Sequence, residues 1–250
     1  MSIAQEITAY IVNRVKEADS EGFYREPLVG FSAADDPLYE QVVAKAGPPH
    51  LTPREVMPEV RSLVSFFIPF TEKVVKANRA DRLEPAKEWV DSYAAANLLL
   101  DDLSLGLVAL MEGQGIKAVS LVGRNSYDQE VLRAPWSHRS AAFVAGLGRF
   151  GLNNLLLTRV GGAGRYGTVF LGADVPATPR PDEEFCLALS GGKCDYCLTH
   201  CPAQALGPEF GRFDRFKCNN RLREVTPYAK SLGWDEDVCG KCDVGPCAIL

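Results

Sequence analysis

Eight cysteines carry the distinctive chemistry of this chain, and all of them lie between positions 186 and 250. Soft thiolates gathered on short loops suit a metal, because each loop turns two sulfurs toward one centre. The run Cys194-x2-Cys197-x3-Cys201-Pro202 has the ending of a bacterial ferredoxin motif. In that motif the cysteine before proline crosses to the other cluster, since the chain turns away there. A second run must then complete the arrangement, and Cys239-x2-Cys242-x4-Cys247, with Cys218 between the two, supplies it. The spacing predicts two [4Fe-4S] clusters. Cys201, Cys218, Cys239 and Cys242 hold one of them. Cys194, Cys197 and Cys247 hold the other, with Cys186 as the remaining thiol for its fourth corner. Paired Cys-x2-Cys loops also suit structural zinc, but the Cys-Pro junction and the x3 spacing favour iron. A disulfide framework calls for a secreted chain, and the first residues show neither a basic start nor a long apolar run.

Composition narrows the class further. Hydrophobic content of 46% and charged content of 24% are those of a globular protein. No unbroken run of about 18 apolar residues occurs, so no membrane span is expected. The formal net charge of -5 argues against a nucleic-acid surface. Cysteine usage indicates a reducing, cytoplasmic setting.

The elements that must position these thiols come earlier. Ile3, Ile7, Ile11 and Val15 mark an amphipathic helix over 3–18, and residues 20–60 read as a mixed stretch broken by prolines. Leu63–Ile68 is an apolar run that reads as a buried strand, and 71–85 reads as exposed. A long helix fits 87–112, ended by Gly113 and Gly115, with a strand over 118–122. Strand, long helix and strand give an α/β layer arrangement. Ser137 caps a helix running to Val144. Gly146-Leu-Gly148-Arg-Phe-Gly151 then matches the dinucleotide fingerprint letter for letter, but the helix precedes it and a strand follows, the reverse of the required order. Two readings of the glycines remain: close approach of a bulky ligand to the backbone, or a plain helix-to-strand turn. Strands over 155–158 and 167–172 read as a hairpin. Pro176, Pro179 and Pro181 mark a linker, giving domains over 1–178 and 179–250.

Three features together resemble the epoxyqueuosine reductase family and its reductive-dehalogenase relatives: the stretch from His138 through Gly146–Asn154 to Thr158, then Phe170-Leu171-Gly172, then the cysteine order with Cys218 after Arg215-Phe216-Lys217. The resemblance implies a nitroreductase-like α/β domain of the cobalamin-binding type, followed by a ferredoxin-like domain with two [4Fe-4S] clusters. It implies electrons passing from the clusters to cobalamin, with flavin as the lesser alternative. It also places the 137–172 region, with Gly146, Gly148, Gly151 and Asn153, against the corrinoid. Three departures stand out. Gly191 occupies the first cluster position of the family run, Leu132 stands where the family has an aspartate in a stretch like D-x-A-P, and the sequence ends three residues after Cys247. The departures and the acidic charge together lead to the expectation of an oxidoreductase acting on a small molecule or on the corrinoid itself, not on epoxyqueuosine in tRNA, with no nucleic-acid and no membrane partner. A ferredoxin or flavodoxin is the expected redox partner. The alternative is a ferredoxin-like electron-transfer or binding protein without its own catalytic site.

His138 lies near the loop that lacks the aspartate and is the candidate catalytic acid; a histidine bonded to backbone at a helix start is the plain alternative. Arg139 could hold a phosphate or carboxylate in a fork, or be a solvated charge. His200, between two thiols, either tunes a cluster through outer contacts or idles in solvent.

Overall fold

A computed structural model describes all 250 residues. A four-stranded sheet is its centre, in the order β1 (Leu28–Ala33), β2 (Ser62–Pro69), β6 (Gly164–Leu171), β3 (Ala118–Ser120), with every neighbouring pair antiparallel. The apolar run becomes β2, buried at all eight of its positions. Both its faces are covered, which is why it reads as continuous rather than alternating.

On one face lie α1 (Ile3–Ala18) and α5 (Lys87–Glu112). Ser2 and Gln5 close a capping box at the start of α1. Ile7, Ile11 and Val15 from α1 and Leu99, Leu103, Leu107 and Met111 from α5 pack on Val64, Phe66 and Ile68 of β2. On the other face α2 (Leu38–Ala46), α3 (Pro53–Val56) and α6 (His138–Val144) surround Trp136, Leu63 and Phe170. The result is a mixed α/β sandwich of helix, sheet and helix.

Three expectations need correction. Residues 28–33 form an edge strand inside the stretch read as broken by prolines, because Gly30 lets the backbone pass close under Ala145 and Leu147. Residues 72–80 form helix α4 (Glu72–Ala80), with Val74, Val75 and Asn78 buried rather than exposed. The 155–158 and 164–171 strands do not pair. β5 (Leu156–Thr158) pairs with β4 (Gly148–Phe150), and β6 slots between β2 and β3. Separately, α5 is long and apolar enough by length and composition to cross a membrane. Here it serves as the core helix, its Trp89, Leu103 and Leu107 almost wholly buried.

The cysteine-bearing segment packs on the same body. Phe70, Val74, Trp89 and Ala163 form one apolar cluster with Ala229, Val238, Val244 and Ala248. Gly162 and Ala163 donate backbone hydrogen bonds to the carbonyls of Cys247 and Ala248.

Candidate metal centre and adjoining cavity

Short local structures present the thiols. α7 (Tyr196–His200) carries Cys197, with Cys194 just before it and Cys201 just after. In α8 (Arg215–Ser231) the Asp214 side chain accepts from the amides of Phe216 and Lys217, which sets Cys218 in the first turn. Gly240 takes a left-handed conformation (φ 69°) between Cys239 and Cys242, against the Trp89 ring, where a side chain would collide.

All eight thiols are free. They gather in two sets of four. Cys186, Cys194, Cys197 and Cys247 line one opening, together with Leu152, Asn153 and Pro246, and Cys242 of the other set reaches its edge. Cys201, Cys218, Cys239 and Cys242 are mutual neighbours in the other set. The structure therefore brings Cys186 to the first set across eight residues of chain. Its sulfur accepts from the Leu152 amide at 3.5 Å, while Gly191, at the position of the family's first cysteine, points into open space.

The donor chemistry fits clusters. Burial among other thiols pushes Cys197 and Cys218 up to about 11 and Cys247 up to about 12. Burial thus keeps these thiols protonated, and a bound metal would hold them as thiolates by taking the protons' place. No three histidine, cysteine or carboxylate side chains converge on the site of a single ion. A cubane receives its thiolates at four separate corners, which matches two sets of four thiols.

A second, larger cavity of about 1020 Å³ opens between α5, the 121–126 loop, the start of α6 and β6. From α5 come Asn97, Asp101 and Ser104, at spacings of four and three. That polar stripe in an otherwise apolar helix is the sequence signal for this wall. Arg165 lies over the Tyr93 ring at 4.0 Å, and its Nε donates to Asn97 Oδ1 at 2.9 Å. Two buried polar atoms at the wall have no partner within the protein, His138 Nδ1 and Thr168 Oγ1. Such atoms are costly unless a ligand or water satisfies them. Burial and the Arg165 charge lower His138 to about 4, so its ring is neutral near pH 7. Burial raises the Asp101 carboxyl.

The predicted site residues divide between these places. Ser137 Oγ accepts from the Ser140 amide and starts α6 so that His138 reaches the cavity. Arg139 is next in the chain and donates to the Asn154 carbonyl at 3.4 Å. Asn153 is buried, donates to the Cys242 carbonyl at 3.1 Å and accepts from the Leu155 amide. The glycines do not line the larger cavity. A Cβ at Gly146 would sit 2.7 Å from the Pro179 carbonyl, one at Gly148 would meet the Leu157 carbonyl, and one at Gly151 would lie 2.7 Å from the Leu157 side chain. What these glycines admit is the chain's own backbone and side chains. His200 stacks on Tyr196 with ring centroids 3.7 Å apart. Leu132, at the aspartate's place, is buried with φ 53°, a strained conformation for leucine.

No family model matches the chain. It is 31% identical over 140 residues to an epoxyqueuosine reductase of Pseudomonas aeruginosa, covering 55% of this chain and 36% of that protein. It is 29% identical over 185 residues to the epoxyqueuosine reductase of Vibrio cholerae, covering 72% and 46%. The chain thus spans less than half the length of either relative. Among solved structures, the epoxyqueuosine reductase of Bacillus subtilis, with its catalytic aspartate loop swung out of the active site, has a TM-score of 0.59 at 18% identity, over 97% of this chain and 66% of that one. This chain resembles the epoxyqueuosine reductases and reductive dehalogenases. An epoxyqueuosine reductase bound to an epoxyqueuosine-modified tRNA stem loop gives a TM-score of 0.58 at 20% identity, over 97% and 66%. A reductive dehalogenase, its structure tied to B12-dependent dehalogenation, gives 0.59 at 16%, over 86% and 29%.

These likenesses overturn two expectations. The exclusion of epoxyqueuosine in tRNA conflicts with relatives named epoxyqueuosine reductase, and the exclusion of nucleic acid conflicts with a neighbour holding a tRNA stem loop. The physical error is in the use of net charge. A sum of -5 is a property of the whole chain, which still carries 27 lysines and arginines, whereas binding is governed by the potential of one face.

Proposed function

We propose that this chain is an iron-sulfur oxidoreductase of the epoxyqueuosine reductase type, cytoplasmic, with a ferredoxin-like segment over 179–250 holding two [4Fe-4S] clusters. The α/β body over 1–178, nitroreductase-like in this reading, binds cobalamin at the larger cavity. Clusters and corrinoid bound there would supply one-electron transfer and a low-potential reductant. The chain's own residues do the rest. Cys186, Cys194, Cys197 and Cys247 are the ligands of one cluster, and Cys201, Cys218, Cys239 and Cys242 those of the other. His138 Nδ1 and Thr168 Oγ1 offer hydrogen bonds to whatever fills the cavity. Asp101, its carboxyl raised by burial, is the carboxylate at this wall, and a neutral His138 offers one N–H donor and one acceptor nitrogen.

One observation carries this reading. His138, at the start of α6, lines the cavity, and Asn153, just beyond that helix, donates to the Cys242 carbonyl at 3.1 Å. The segment 138–153 thus touches both places, and a redox chain needs them adjacent.

The test begins with anaerobically purified protein mixed with cobalamin and passed over a gel-filtration column. Retained corrinoid absorbance is expected. The complex, reduced chemically, is then offered an epoxyqueuosine-containing tRNA stem loop, and conversion to queuosine is expected. An Asp101→Asn variant should keep the corrinoid and lose at least tenfold in rate, within the range for a general acid. Failure of both corrinoid retention and conversion would overturn the assignment.

A further inference from the structure

The two thiol sets differ in the charge around them. Asp243 acts on both Cys242 and Cys247, so it does not distinguish them. Cations do. Lys241 is 2% exposed, and its Nζ donates to Asn78 O at 2.7 Å and Asn78 Oδ1 at 2.8 Å. Asn78 in turn donates from Nδ2 to the Cys239 carbonyl at 3.1 Å. Arg221, one turn beyond Cys218 on α8, lies against the Cys239 sulfur. It donates to the Leu83 carbonyl and pairs with Glu224 at 3.1 Å and Glu84 at 3.7 Å, both solvent-exposed carboxylates whose charge water screens, while its Nε is buried with no partner. Arg139 and Asp237 bear on Cys218 with opposite charge, so they do not set it apart. In the first set, Lys193 adjoins Cys194 but is exposed to solvent, where screening weakens it.

Burying a lysine costs free energy unless something repays it. Capping the carbonyl end of α4 is one use, since cations suit helix C-termini. That use explains the contact with Asn78 O but not a second cation at Cys239. A cluster that accepts an electron gains one negative charge, and a nearby buried cation favours that state.

Resting on the two-cluster reading above, we infer that Arg221 and Lys241 are positioning charges that raise the reduction potential of the cluster held by Cys201, Cys218, Cys239 and Cys242 above that of its neighbour. They touch the ligand set and its support, not a substrate.

The test uses the full chain, loaded anaerobically, with a potentiometric titration followed by electron paramagnetic resonance. An iron count on the wild type comes first. Two clusters titrating as two components are expected, and a Cys194→Ser variant assigns the lower-potential component to the first set by weakening it. Arg221→Gln and Lys241→Gln should each make the higher-potential cluster about tenfold harder to reduce, roughly 59 mV for a one-electron couple, and leave the other component in place. Arg221→Lys keeps the charge and should restore the wild-type value. A purely structural role would instead lower stability in both glutamine variants with no selective change of potential. Two clusters whose potentials ignore the neutral variants, or a shift in the lower component alone, would overturn the inference. A wild type that takes up fewer than two clusters would overturn the cluster reading and this inference with it.

Discussion

His138 is the residue whose ionisation says most about the cavity. Its folded pKa is about 4, below the ordinary histidine value. An unfolded chain therefore binds a proton there between roughly pH 6.5 and 4 that the folded chain does not. The stabilisation is complete above that window and is lost as pH falls through it. Denaturant unfolding across pH 4 to 6.5 should show stability rising with pH, and His138→Gln should flatten that slope by up to about one proton. An unchanged slope would mean the ring is solvated. Cys186 poses the other single-residue question. Local spacing alone left it as the remaining thiol, and the Leu152 amide and the shared opening show why it can serve at a distance. Cys186→Ser should keep the second cluster and lose about half the iron.

At the scale of elements, what was legible depended on whether the pattern was local. The helices over 3–18 and 87–112 appear with the boundaries their apolar periodicity implies, and Ser137 caps α6 as its side chain allows. The grouping of thiols was also legible, because ligand spacing within a short loop fixes which sulfurs can converge. Strand pairing was not. β4 is three residues holding a glycine, with no alternation to read, so β5 was matched to the wrong partner. α4 was misjudged because its charged face dominates the composition and hides Val74 and Val75. The glycine run was visible as letters, but its cause lies in segments remote in sequence, Thr178–Pro179 and Leu157. This makes a prediction. Gly148→Ala should destabilise the folded chain by about 1–3 kcal/mol through overpacking against the Leu157 carbonyl. Any loss of corrinoid retention should follow that loss of stability. A variant of wild-type stability that fails to retain corrinoid would restore the ligand-contact reading of the glycine run.

For the whole molecule, the sheet with its two helical layers holds a polar cavity at the start of α6, and the cysteine-bearing segment with its two thiol sets packs against α4 and α5. Trp89 is part of the joint between them, buried at the root of α5 against Gly240, Val238 and Ala248. Trp89→Ala should cost about 3–5 kcal/mol and disturb cluster loading as well as folding, read by iron content against a melting curve. The cavity wall and the cations around Cys239 escaped the sequence reading for one reason. Asn97, Asp101, Arg165, Arg221 and Lys241 come from four separate elements and loops, and only the fold brings them to two places.

The most direct test is an iron and acid-labile sulfide count on protein reconstituted without oxygen. About eight of each per chain are expected, one cubane for each set of four thiols. Zinc in place of iron, or cysteines recovered as disulfides, would contradict the account at its root.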